Sequence, residues 1–147
     1  MATTRALFSV PPKRIFEVLS DPEAYADWVV GSHSIREADS DWPAKGSFLY
    51  HRLATGPLKL EDHTEVLESD PPHKLVLRAK ARPLGTAIVR IGVEPYEDGA
   101  RVTMSENAGD PLSHLVLNPL TAVLVNRRND ECLKRLRRIA ETGILET

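Results

Sequence analysis

Between His33 and Ala108 the chain is a series of short runs in which apolar and polar residues alternate. The runs are separated by DWPAKG, ATGP, SDPPHK, RPLG and EDGA. Alternation at period two marks a strand with one dry face and one wet face, and Gly, Pro, Asn and Asp clusters between such runs mark turns. Five interruptions therefore divide this stretch into six antiparallel strands, with Asp98-Gly99 the strongest hairpin signal. A sheet with one apolar face must bury that face against something. One element is large enough: a helical pattern from about Pro119 to Glu141, with Leu120, Val123, Leu124, Leu133, Leu136 and Ile139 as its apolar members. A one-faced sheet and a single long helix to cover it leave few architectures open.

The first thirty residues complete the layout. Residues 3–10 alternate weakly and halt at Pro11-Pro12, which reads as one more strand. Pro12 suits the first turn of a helix, and Ile15, Phe16 and Leu19 follow at helical spacing. Ser20-Asp21-Pro22 ends that helix and starts another, two turns long, that reaches about Trp28. A short helical piece is also expected before Asn118-Pro119. The order is strand, two short helices, six strands, long helix, and the short helices are expected to close one end of a curved sheet. No linker, repeat or low-complexity segment appears, so residues 1–147 are read as one domain. A chain of 147 residues buries roughly 68–70% of its unfolded surface, enough for one core.

Composition removes several function classes. The net charge is −2 and aromatics are 5%, so neither a basic nucleic-acid footprint nor a base-stacking platform is present. The basic run of Arg127, Arg128, Lys134, Arg135, Arg137 and Arg138 reads as a solvated helix face. Cys132 is the single cysteine; no disulfide can close within the chain, and a reducing compartment suits it. The N-terminus lacks the apolar core of a signal peptide, and no apolar run approaches the roughly 18 residues of a membrane span. The expected location is the cytoplasm, without stable membrane insertion. His33, His51, His63, His73 and His114 show no metal-ligand spacing. There is no glycine-rich phosphate loop and no G-x-S-x-G elbow. The sequence implies no metal and no cofactor.

Alternation also assigns faces. The inner sets are Leu58, Leu60, Asp62, Thr64 and Val66; Leu75, Leu77, Ala79 and Ala81; Ala87, Val89, Ile91 and Val93; and Val102, Met104, Glu106 and Ala108. In Ser47–Ala54 either Leu49, His51 and Leu53 or Phe48, Tyr50 and Arg52 face inward; the first choice keeps Arg52 out. Turns centred on Thr55-Gly56, Asp70-Pro71, Leu84 and Asp98-Gly99 pair Leu49 with Asp62, Thr64 with Leu77, Leu77 with Ile91, and Ile91 with Glu106. Glu106, Ile91, Leu77 and Thr64 then form one row, and Asp62, Leu49, Ala79, Val89 and Ala108 the next. His51 and Asp62 are diagonal neighbours about 7–8 Å apart at Cβ. Asp62 and Glu106, three strands apart, are about 14 Å apart in a flat sheet. A buried Glu106 must be paired or protonated. It is either a rim carboxylate or salt-bridged to Arg127 or Arg128, or else a polar anchor or general acid.

Three stretches carry a family resemblance: SVPPKRIFEVLSDPEAYADW, GARVTMSE and LTAVLVNRRNDECLKRLRRIAE. In element order and hydrophobic pattern they resemble the START/Bet v 1-like superfamily, in particular bacterial polyketide cyclase/dehydrase-like proteins, over nearly the whole chain. The resemblance implies an α+β helix-grip fold, a seven-stranded curved antiparallel sheet wrapped round a long C-terminal helix with a hydrophobic cavity between them. Members bind lipids, sterols, hormones, quinones or polyketide intermediates, and a few are enzymes. The leading expectation is a hydrophobic small-molecule binder, monomer or homodimer. Its lining would come from Leu49, Leu60, Thr64, Leu77, Ala79, Val89, Ile91 and Met104 on the sheet and Leu120, Leu124 and Arg127 on the helix. Tyr25 and Trp28 would stand at the mouth, and His51, Asp62 and Glu106 would orient polar atoms. The alternative is a cofactor-independent cyclase or dehydratase with His51 as base and Glu106 or Asp62 as acid. A third reading is a protein-interaction or chaperone-like module.

Overall fold

A computed structural model describes residues 2–29, 34–55, 58–81, 85–108 and 119–143. The elements run β1 (Ala2–Phe8), α1 (Pro12–Leu19), α2 (Pro22–Trp28), β2 (Ser34–Ala38), β3 (Phe48–Thr55), β4 (Leu58–Asp70), β5 (Lys74–Ala81), β6 (Gly85–Tyr96), β7 (Gly99–Ala108) and α3 (Pro119–Thr142). The short helix expected before Asn118 falls outside the described residues. All seven strands join one antiparallel sheet in the order β1-β7-β6-β5-β4-β3-β2. Consecutive strands are neighbours except at one place: β1 and β2 occupy opposite edges. The chain must cross the whole sheet between them, and α1 and α2 make that crossing. This is why two short helices follow the first strand.

Local chemistry explains the crossing. Pro12 and Pro22 sit in the first turn of α1 and α2, where a missing N–H costs nothing. Asp21 caps α2 by accepting from the Glu23 N–H at 2.9 Å. Ile15, Phe16, Val18 and Leu19 bury one side of α1. The indole N–H of Trp42 donates to the Leu19 carbonyl at 3.3 Å, tying the β2–β3 connection to α1. The far end of α3 is held twice. The Arg14 guanidinium donates to the Ala140 carbonyl at 3.1 Å, a cation against the negative end of the helix. The Ser9 N–H and Oγ both donate to Glu141 Oε2 at 2.7 Å. Burial pushes the Glu141 carboxyl up, but the two Ser9 hydrogen bonds and Arg137 outweigh it and hold the group below its usual range. Among the described residues no helix is long and apolar enough to cross a membrane.

The expected faces hold. Leu49, Thr64, Val66, Leu75, Leu77, Ile91, Val93, Val102 and Met104 are all buried on the inner face. Phe48, Tyr50 and His63 pack their rings together on the opposite face, so Leu49 was the right inward choice for β3. Pairing differs. In all four hairpins inner-face residues meet partners two positions from the expected ones: Leu53 pairs with Leu60, Val66 with Leu77, Leu77 with Val89, and Val93 with Val102; on the turn side of the Val66/Glu68 irregularity the β4–β5 pairs are displaced by three. A displacement of two keeps every side chain on its face, which is why the alternation could not reveal it. The observed rows are Ala2–Glu106–Val89–Leu77–Val66 and Leu49–Thr64–Ala79–Ala87–Ala108. His51 and Asp62 are directly opposed backbone partners rather than diagonal neighbours. Irregularities at Val66/Glu68 and Ile35/Glu37 interrupt the ladders, and such bulges add bend and twist to their strands.

The β6–β7 turn shows one cause. The turn residues are Glu97 and Asp98, not Asp98 and Gly99, and Tyr96 pairs with Gly99. Glu97 takes the left-handed conformation, φ 52°. Gly99 is needed for a different reason: a Cβ there would lie 1.9 Å from the Phe8 carbonyl oxygen. The glycine admits the end of β1, not the turn. Gly99→Ala is therefore expected to lower the unfolding free energy by about 1–3 kcal/mol, the usual cost of overpacking. Glu97→Gly should raise it by about 1 kcal/mol by relieving left-handed strain. Urea melts read both, and a neutral Gly99→Ala would contradict this assignment.

Candidate functional site

Helix α3 changes character along its length. Positions 126, 129, 133, 136 and 140 fall three or four apart and form one stripe. Leu133, Leu136 and Ala140 are buried in the core, flanked by Cys132 and Ile139. Further toward the N-terminus the stripe carries amides: Asn129 is 3% exposed and Asn126 is half-buried. The stripe is apolar from Leu133 onward and polar at Asn126 and Asn129.

Where the stripe turns polar, side chains from three other elements converge. Glu106 comes from the inner set of β7, and Arg128 donates to its Oε1 at 2.5 Å. The Glu106 side chain is 9% exposed and that of Arg128 is 39%. Tyr25, from α2, is in hydrogen-bond contact with Thr64 of β4, Oη to Oγ1 at 3.2 Å. Burial pushes the Tyr25 phenol up to about 12; the Thr64 hydrogen bond and Arg128 pull the other way, while Cys132 and Glu106 add to the rise. Trp28, one turn further along α2, meets the Tyr25 ring edge-on at 5.5 Å between centroids. Trp42 meets it from the other side at 6.3 Å.

Four buried polar atoms in these elements have no hydrogen-bond partner among the described residues: Trp28 Nε1, Glu106 Oε2, Asn126 Oδ1 and Asn129 Nδ2. Most buried polar groups in native proteins are satisfied, because each one left unmade costs about 1–3 kcal/mol. Beside them the inner face is lined thinly. Thr64 is followed across the sheet by Ala79 and Ala87, and Ala79, Ala87 and Val89 are only half-buried. An alanine-lined, incompletely buried apolar row with an unmet carboxylate oxygen, that of Glu106, in the next row is suited to holding an amphipathic guest.

The structure brings together Tyr25, Trp28, Thr64 and Glu106 of the residues expected from sequence. Leu49, Ala79 and Val89 lie on the adjoining face; Leu77, Ile91 and Met104 lie deeper, packed in the core. Leu124 is 64% exposed and Arg127 is exposed, so neither joins the cluster. Arg128 supplies the ion pair, the partner the sequence left open between two arginines. The side chains of His51, Leu60, Asp62 and Leu120 lie outside the described residues. Asn126 and Asn129 escaped the sequence reading. The available signal was spacing: counting back by four and three from Leu136 and Leu133 reaches Asn129 and Asn126, not Leu124. Two surface clefts, of about 320 Å³ beside β1 and α3 and about 520 Å³ beside α1 and Pro71-Pro72, contain none of the site residues expected from sequence and neither Asn126 nor Asn129.

Residues 2–141 match a family model described as polyketide cyclase / dehydrase and lipid transport. No curated protein matches the sequence. Protein MLL2253 from Mesorhizobium loti superposes with a TM-score of 0.71 at 15% identity, covering 98% of each chain. Ara h 8.0201 gives 0.69 at 11% identity, covering 95% of this chain and 96% of its own. DynU16, from the dynemicin biosynthetic locus, gives 0.68 at 18% identity, with 97% of this chain covered and 47% of that one. At these identities the likeness is one of fold, and that fold is the helix-grip of the Bet v 1-like proteins.

The Tyr25 environment has a pH signature. Its folded pKa of about 12 lies above the ordinary 10.0. Below 10.0 the phenol is neutral folded and unfolded, and its contribution to stability is complete. Above that the unfolded chain loses the proton first, so the contribution is lost as pH rises through 12. The unfolding free energy is expected to fall over that window, and to fall less in Tyr25→Phe. Equal slopes in the two proteins would contradict the burial of this hydroxyl.

Proposed function

The chain belongs to the polyketide cyclase/dehydrase and lipid transport family, and on that premise we propose that it binds a hydrophobic small molecule between the inner sheet face and the first half of α3. The observation that carries this reading is the set of buried polar atoms without a partner among the described residues, one of them on Glu106, which pairs with Val89 and stands one inner-face row from half-buried Ala87. Apolar contact with Ala79, Ala87 and Val89 supplies most of the affinity, at roughly 25 cal/mol per Å² removed from water. Tyr25 and Trp28 form the wall contributed by α2. Glu106, already facing a guanidinium, acts as a hydrogen-bond acceptor that orients the guest. A reducing cytoplasm suits the single buried thiol, Cys132.

The reading predicts that native mass spectrometry after gentle purification shows a bound apolar mass of small-molecule size. It also predicts that Ala87→Phe, which fills the patch, weakens binding of the neutral dye Nile red by about tenfold or more, a loss of roughly 1.4 kcal/mol. The melting temperature should stay within a few degrees, because the position is only half-buried. Undiminished dye binding in a folded Ala87→Phe would move the site off this face.

A further inference from the structure

The unmet atoms define a chemical class of guest; this inference rests on the binding reading above. Two of the four have roles that no reorientation changes. A carboxylate oxygen only accepts, and an indole N–H only donates. Glu106 Oε1 takes the Arg128 guanidinium, while Oε2 is buried and unpartnered among the described residues. Trp28 is 3% exposed and its Nε1–H is likewise unpartnered. A guest that satisfies both must bring a donor to Glu106 and an acceptor to Trp28. The Asn126 and Asn129 amides, each with one unmet buried atom, add one acceptor and one donor.

Charge narrows the class further. Glu106 and Arg128 balance each other, so the cluster has no surplus positive charge for an anion. A carboxylate guest would bring its charge against the free oxygen of Glu106 in a poorly hydrated space, where like charges repel strongly. We propose that the site selects neutral apolar molecules carrying a hydroxyl, phenol or alcohol, whose O–H donates to Glu106 Oε2 and whose oxygen atoms accept from Trp28 Nε1, and that it rejects fatty-acid-like carboxylates of the same size.

The test uses three ligands that share one ring system: naphthol, its methyl ether and naphthoate, titrated calorimetrically near neutral pH. Naphthol can donate and accept, the ether only accepts, and naphthoate is an anion. Naphthol is expected to bind at least about tenfold more tightly than either of the others, the effect of one unmade buried hydrogen bond. In Glu106→Leu the advantage of naphthol over the ether should shrink to about twofold or less. Trp28→Phe, which keeps a ring and removes the N–H, should weaken naphthol and its ether together, and it serves if Glu106→Leu does not fold. Equal binding of naphthol and ether by the wild-type protein would overturn the donor assignment while leaving the apolar site intact. Tightest binding of naphthoate would overturn the charge argument and make Arg128 an anion anchor. Failure of all three to bind would remove the binding reading itself.

Discussion

Everything in this molecule depends on how α3 lies against the inner face of the sheet. Over Leu133, Leu136, Ile139 and Ala140 the contact is dry and closed, and each large side chain buried there contributes about 1.5–3 kcal/mol. At Asn126 and Asn129 the same stripe carries amides instead. One helix therefore performs two tasks. Its second half is structural cement, and its first half carries amides on the same stripe.

That division needs the helix to be held from its far end, and the crossing between β1 and β2 provides the hold. Arg14 on α1 and Ser9 after β1 grip the last turn of α3. Next in the chain, α2 carries Tyr25 and Trp28 to the place where the helix stripe becomes polar. The two short helices thus connect opposite sheet edges, clamp one end of α3, and set Tyr25 against Thr64 of the inner face. Glu106 could not occupy the inner face alone; its ion pair with Arg128 offsets the cost of burying a carboxylate. Its other oxygen has no partner among the described residues, and the proposed recognition chemistry rests on that.

Much of the architecture was legible because side-chain period is a local property. Alternation correctly placed Leu49, Thr64, Leu77, Ile91, Met104 and Glu106 inside, and the punctuation at Pro11-Pro12 and Ser20-Asp21-Pro22 correctly placed α1 and α2. Register was not legible, since sliding a hairpin by two residues leaves each face unchanged. Gly99 shows how turn chemistry misleads: its missing Cβ serves a long-range contact with Phe8, which no local window reveals. On α3, hydrophobicity pointed to Leu124, which is exposed, while the inward stripe ran through Asn126 and Asn129. Polar residues on a core-facing stripe are what a binding site demands, and for the same reason they are hidden from a search for apolar residues.

The central claim is that a guest lies on the alanine patch of the inner sheet face, next to Glu106. Intermolecular nuclear Overhauser effects between bound naphthol and the protein's methyl groups measure this directly. The account predicts contacts to the methyls of Ala79, Ala87 and Val89, together with a shift of the Trp28 indole N–H resonance. Contacts instead to the exposed Val123 and Leu124, with Trp28 unmoved, would contradict it.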